Sequence, residues 1–103
     1  MILQGKVVLV TGAARRIGRT IALAFAAKGS RLAVHYHTSV VDARRVVDAV
    51  KSISGAEADV FRADLEQAKG PEKLADAVAR RFGGIDILIN SASLYEKTPF
   101  ALT

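Results

Sequence analysis

The chain contains no cysteine and no tryptophan, and what is missing narrows its chemistry before any motif is read. Without thiols there is neither a disulfide framework nor a thiolate metal site. The two histidines have no acid at ligand spacing, so no metal centre is expected. Apolar stretches are short. The longest unbroken one runs from Ile21 to Ala27, whereas a membrane-spanning helix needs about 20 such residues. The start, Met1-Ile2-Leu3-Gln4-Gly5-Lys6, lacks the basic stretch and long apolar core of a signal peptide. Together these absences predict a soluble protein with no membrane partner, and a thiol-free chain fits a cytoplasmic location.

Charge of one sign is in modest excess, with 15 Lys and Arg against 10 Asp and Glu for a net +5. A basic balance favours anionic partners: nucleic acid, acidic lipid or a phosphorylated small molecule. The arginines come as pairs, Arg15-Arg16, Arg44-Arg45 and Arg80-Arg81, rather than as one tract. No aromatics interleave with them as on a base-stacking surface, and no nucleic-acid partner is expected. Two pairs fall on predicted helices, where they read as solvated faces. Arg15-Arg16 falls in a loop.

Half of the 103 residues are apolar, which suits one globular unit spanning 1–103. Lys6 to Thr11 is a β-branched run of the kind found in a strand covered on both faces. Ile17, Ile21 and Phe25 recur at helical spacing, with Gly29 as a stop. Arg31 to Tyr36 reads as a second strand, in which either His35 or Tyr36 belongs to the core. Thr38 or Ser39 caps a second helix with the stripe Ala43, Val46, Val50 and Ile53, ending at Ser54-Gly55. Asp59 to Arg62 is a third strand. Gly70-Pro71-Glu72 opens a third helix lined by Leu74, Val78 and Phe82, and Gly83-Gly84 close it. A last strand runs from Ile85 to Asn90, started by Asp86.

The order βαβαβαβ predicts an α/β fold: a Rossmann-type parallel sheet, strand order 3-2-1-4, with helices on both faces. Ile87, Leu88 and Ile89 read as buried on both faces, so the fourth strand should not be a bare edge. The unit therefore reads as truncated after this strand, with a further strand or a partner expected against it.

The segment carrying most chemistry is Thr11-Gly12-Ala13-Ala14-Arg15-Arg16-Ile17-Gly18, between the first strand and the first helix. Gly12 suits a tight strand-to-helix turn. The helix behind it presents unpaired N–H groups and its positive dipole end, a natural seat for a pyrophosphate. Gly18 lets that helix pack close to the sheet. Flanking strand and amphipathic helix supply the context that a glycine-spaced loop needs.

Thr-Gly, five residues and glycine after a first strand resemble the short-chain dehydrogenase/reductase family, and the resemblance covers the whole chain. It implies that Gly12, Arg15, Arg16, Ile17 and Gly18 surround a dinucleotide, and that Asp64-Leu65 contact its adenine. It also makes Asn90-Ser91-Ala92-Ser93 a variant of the family's Asn-Asn-Ala-Gly, with Asn90, Ala92 and Ser93 near the cofactor. Arg16 replaces a frequent glycine, and Ala92-Ser93 replaces the usual ending. Both departures resemble the pteridine reductases, as do His35-Tyr36-His37 and Tyr95. In that narrower group Ser93 would bond a pterin and Tyr95 would stack on it. A 3-oxoacyl-carrier-protein reductase is the rival within the family, and full-length members commonly form homotetramers.

The cofactor can also be read from the residues themselves. An NAD site usually has an acid at the end of the second strand for the ribose 2′-hydroxyl. Here the stretch is His37-Thr38-Ser39, and the first acid, Asp42, lies inside the helix. Arg16, with Arg15 near, suits a 2′-phosphate, and His37, Thr38 and Ser39 add donors. The expected cofactor is NADP(H). The bland alternative leaves Arg16 solvated, Ser39 a plain cap, Asn90 a backbone partner at the strand end and Tyr95 an ordinary loop aromatic.

The family's chemistry needs a tyrosine with a lysine four residues on. Tyr36 is followed at that spacing by Val40 and Tyr95 by Pro99, so no catalytic residue is named in this chain. Asp76, Asp86 and Glu96 form no acid/base pair. The chain is then the cofactor half of an NADPH-dependent reductase, inactive alone. The other readings are a non-catalytic dinucleotide-binding module and a basic nucleic-acid binder. A charge-assisted contact contributes about 1.5–3 kcal/mol, roughly ten- to a hundredfold in affinity. Arg16→Ala is therefore expected to weaken NADPH binding by that factor in a fluorescence titration and to spare NADH. Equal losses for both cofactors would refute the assignment.

Overall fold

The computed structural model describes residues 2–91. Seven elements follow one another: β1 (Val7–Val10), α1 (Arg16–Ala26), β2 (Arg31–Tyr36), α2 (Val40–Ser54), β3 (Ala58–Arg62), α3 (Gly70–Phe82) and β4 (Ile87–Ile89). The strands form one sheet in the order β3-β2-β1-β4, and each neighbouring pair is parallel. Val8 stands opposite Leu32 on one side and Ile87 on the other. The expected class, order and two-sided covering by helices are all present.

Side-chain alternation divides the core into two layers. Val8 and Val10 of β1, with Leu32 and Val34 of β2, pack against Ala22 and Ala26 of α1 and Val46 and Val50 of α2. Val7 and Leu9, with Ala33, face Leu74, Val78 and Phe82 of α3. A strand enclosed on both faces must be apolar at every position, which is why β1 reads Val-Val-Leu-Val without a break.

The first helix corrects the expected stripe. Its buried residues are Gly18, Ala22 and Ala26, whereas Ile17 is 42% exposed. Ile21 and Phe25 flank the contact, half-buried. Small side chains at every fourth position let α1 lie close, and the larger ones seal its margin. In α2 the stripe holds at Ala43, Val46 and Val50, joined by Val47. It fails at Ile53, 49% exposed in the last turn, beyond the reach of the sheet. Gly55 and Gly83 end α2 and α3 in the left-handed conformation.

The last strand is shorter than Ile85 to Asn90. Only Ile87–Ile89 pair with β1, and Leu88 is 43% exposed because no described element covers it. Asp86 stands at its entry, where its Oδ2 accepts from the Val7 N–H at 2.8 Å and its own N–H donates to the Val7 carbonyl at 2.9 Å. On the opposite side, Arg81 of α3 reaches Glu57 at 3.2 Å and Asp59 at 3.3 Å beside β3. Its guanidinium lies 4.6 Å from the centroid of the Phe82 ring. The basic pair on α3 is therefore tied into the fold through Arg81. No helix among the described residues is long and apolar enough to cross a membrane.

Gly18 does open a close approach, but its neighbours are the preceding loop and the end of β4 rather than the strand faces. A Cβ there would collide with the Gly12 carbonyl oxygen and lie 2.8 Å from both Ala13 Cα and Ser91 Oγ. The first of these is rigid backbone. Gly18→Ala is expected to cost about 2 kcal/mol or more by overpacking. Urea unfolding checks this; a loss under about 0.5 kcal/mol would mean that the loop yields.

Candidate functional site

In a parallel sheet of this order, ligands collect beyond the carboxyl ends of the strands, where β1 and its neighbours part. Here that edge carries the β1–α1 loop, the β2–α2 turn and the segment after β3. Gly12 has φ +63°, in the left-handed region, which turns the chain from β1 towards α1. Arg15 is the N-cap of α1 without a side-chain cap bond. The N–H groups of Arg16, Ile17 and Gly18 form the first turn and have no intrahelical acceptor. They supply the anion-seeking end of the helix.

The loop is tied down by its neighbours. The Thr11 N–H donates to the Ile89 carbonyl and the Ala13 N–H to the His35 carbonyl. The Thr11 hydroxyl donates to Asn90 Oδ1 at 3.0 Å, and the Ser91 hydroxyl donates to the Thr11 carbonyl. Asn90 thus joins the ends of β4 and β1 through its side chain.

His35 is the core member of its pair, 3% exposed, while Tyr36 is half-buried against the α1–α2 layer. Its Nδ1 accepts from the Gly12 N–H at 2.9 Å, and its Nε2 lies 2.9 Å from the Ala63 carbonyl oxygen. A backbone N–H can only donate and a carbonyl only accept, so the ring carries its proton on Nε2 and is neutral. Burial holds its pKa below the ordinary 6.5; the bond to Ala63 opposes this and nearby His37 adds to it.

Around this ring lies a cleft of about 270 Å³, lined by Gly12, Ala14 and Arg15 on one side. His35 to Ser39, Asp42, and Ala63 to Glu66 complete it. The volume is just below the range of about 300–1,000 Å³ common for small-molecule sites, a size suited to part of a dinucleotide. Of the expected ligands, Gly12, Arg15, His37, Thr38, Ser39, Asp64 and Leu65 meet on this wall. Arg16 and Ile17 lie on the adjoining first turn, exposed, and Gly18 is buried under it. Asn90 is engaged with Thr11. Ala92, Ser93 and Tyr95 lie outside the described residues.

Sequence reasoning missed Asp42, because a helix interior seemed too far away. It is the third residue of α2, and that first turn faces the cleft. Its carboxylate accepts from the Ser39 hydroxyl at 2.8 Å and pairs with Arg45 at 3.6 Å, while Ser39 Oγ accepts from the Asp42 N–H at 3.3 Å. The Ser-x-x-acid spacing announces such a reciprocal cap. Asp64 divides its oxygens: Oδ1 accepts from the Glu66 N–H at 3.0 Å, and Oδ2 lies 3.6 Å from His37 Nε2 across the mouth. No group of three metal-ligating side chains exists among the described residues.

A glycine turn into a helix N-terminus, at the carboxyl edge of a 3-2-1-4 parallel sheet, defines a Rossmann-type nucleotide-binding unit. Comparison with known proteins makes this specific, since the short chain dehydrogenase family profile matches residues 6–103. The chain belongs to that oxidoreductase family. A hydroxynaphthalene reductase of Aspergillus fumigatus is 39% identical over 101 residues, covering 98% of this chain and 37% of that protein. Among solved structures, a dehydrogenase from Burkholderia cenocepacia with bound NADP superposes with a TM-score of 0.81 at 42% identity. That match covers 86% of this chain and 34% of the other. The NADH-dependent reductase A1-R′, complexed with NAD, gives 0.79 at 31% identity, covering 85% of this chain and 36% of the other. The chain thus spans little more than a third of the length of these relatives.

The state of His35 makes stability depend on pH. Well above 6.5 the ring is neutral whether the chain is folded or not, and its contribution is complete. As pH falls through 6.5, the unfolded chain takes up a proton that the buried ring refuses, so stability is lost, by up to about 1.4 kcal/mol per pH unit. Urea midpoints between about pH 8 and pH 5 should show this loss, and His35→Asn should lack that part of it. The same slope in both proteins would place the proton elsewhere.

Proposed function

We propose that this chain is the NADP(H)-binding half of a short-chain reductase, with the residues of the family's catalytic step outside it. The observation that carries the reading is the wall of the cleft. Arg15, His37, Thr38 and Ser39 gather where a 2′-phosphate would sit. Of the acids lining the cleft, Asp42 at the start of α2 is engaged by Ser39 and Arg45, and Asp64 accepts from the Glu66 N–H and lies 3.6 Å from His37. The first turn of α1 suits the pyrophosphate, and Asp64 with Leu65 suits the adenine edge.

When bound, the nicotinamide supplies the hydride. The residues of this chain would bind and orient: first-turn N–H groups neutralise phosphate charge, the arginines select the 2′-phosphate, and the Thr11–Asn90 link fixes the floor between β1 and β4. The solved relatives named for NADP and for NAD make this choice worth measuring directly. Arg15→Ala, Arg16→Ala and the double variant should each weaken NADPH more than NADH, by about ten- to a hundredfold for the arginine that meets the phosphate. Losses equal for the two cofactors in all three variants overturn the assignment.

For the substrate, Arg15-Arg16, His35-Tyr36-His37 and Asn90 to Ser93 with Tyr95 support a pterin-like carbonyl or imine. The name of the Aspergillus relative favours a second reading, a hydroxylated bicyclic aromatic ketone. NADPH oxidation by the protein carrying this segment, offered a dihydropterin or a hydroxynaphthalenone, separates them. Turnover of the second alone would retire the pterin reading.

A further inference from the structure

The Thr11, Gly12, Ala13 and Arg15 N–H groups of the loop all donate within the protein, and among their acceptors one can change charge. The Thr11, Ala13 and Arg15 N–H groups donate to the carbonyls of Ile89, His35 and Gly12. The Gly12 N–H donates instead to an imidazole nitrogen. Through its other nitrogen that ring holds the Ala63 carbonyl, immediately before Asp64. It is a two-ended brace between the phosphate-facing loop and the adenine-facing segment, set in β2 and lining the cleft.

We propose that His35 is the positioning residue of the dinucleotide cleft: as the neutral Nε2–H tautomer it holds Gly12 and Ala63 in binding geometry, and protonation releases the loop and weakens the cofactor's hold. The inference rests on the dinucleotide reading above. Protonated, both ring nitrogens become donors, so Nδ1–H would face the Gly12 N–H and leave it without an acceptor. The groups around the brace are His37 on the turn after β2, Arg15 at the start of α1, Asp42 on α2, and Asp64 and Glu66 after β3. His37 opposes protonation. Asp64 has its own partners in His37 and the Glu66 N–H. Asparagine at position 35 offers an acceptor at the place of Nδ1 and does not titrate, whereas leucine offers nothing.

Two measurements on the full chain test this. In nitrogen-labelled protein at about pH 7.5, where a free histidine is already mostly neutral, NMR should find Nε2 protonated. It should also find a scalar coupling across the hydrogen bond from the Gly12 amide to His35 Nδ1. A ring protonated on Nδ1, or lacking that coupling, overturns the proposal without any variant. Dissociation constants for NADP+ are then measured for wild type and His35→Asn from about pH 8 to about pH 5. Their ratio cancels the titration of the cofactor's phosphate. Wild type should weaken relative to His35→Asn by about tenfold on acidification, the cost of one buried donor left unpaired. His35→Leu, where it folds, should bind about tenfold more weakly at every pH. Binding with a ratio flat in pH overturns the positioning role alone. A chain that shows the coupling yet binds neither NADP+ nor NAD+ overturns the cofactor reading, and the positioning role with it.

Discussion

The fold turns on a close approach between two pieces of backbone. The first turn of α1 lies against the Gly12 carbonyl because position 18 has no side chain. Packing at that distance aims the unpaired N–H groups of the helix along the edge where the strands end, and it leaves room for Ser91, whose hydroxyl donates to the Thr11 carbonyl. A larger residue would tilt the helix away, and the turn, the floor and the cleft wall would move with it. The alanines at 22 and 26 continue the same requirement down the helix.

Around that contact, polar groups in the site are assigned to one another before any ligand arrives. His35 takes the Gly12 and Ala63 backbone groups, Asn90 takes the Thr11 hydroxyl, and Ser39 and Asp42 cap α2 reciprocally. The framework thus needs little rearrangement to present its arginines and first-turn donors, and such preorganisation lowers the cost of binding.

The architecture could be read from the chain because strands enclosed on both faces are apolar without a break, and Val7–Val10 is the plainest case. The loop between β1 and α1 was equally plain, since Thr11 to Gly18 lies between an evident strand and an evident helix. The buried face of α1 was not, because glycine and alanine carry no hydrophobic signal while Ile17 beside them does. Asp42 was misplaced for a geometric reason: three residues along a helix advance only about 4.5 Å, so its first turn still faces the cleft. The work of His35 was hidden as well. A polar residue in a strand tells nothing of which backbone groups will meet it, and both partners lie far off in the sequence, at Gly12 and Ala63.

The ion pairs beside β3 bear on how copies of this protein meet. Among the described residues β3 is the outer strand of the sheet, and an outer strand offers its free backbone groups to any passing chain. Glu57 and Asp59, held by Arg81, put a charged fringe along that margin, and Arg62 closes the strand with another charge. A second molecule pairing there would have to strip water from these groups and part them from their partners. The same contacts that fasten α3 to the sheet therefore also act as a guard against fibre-like stacking.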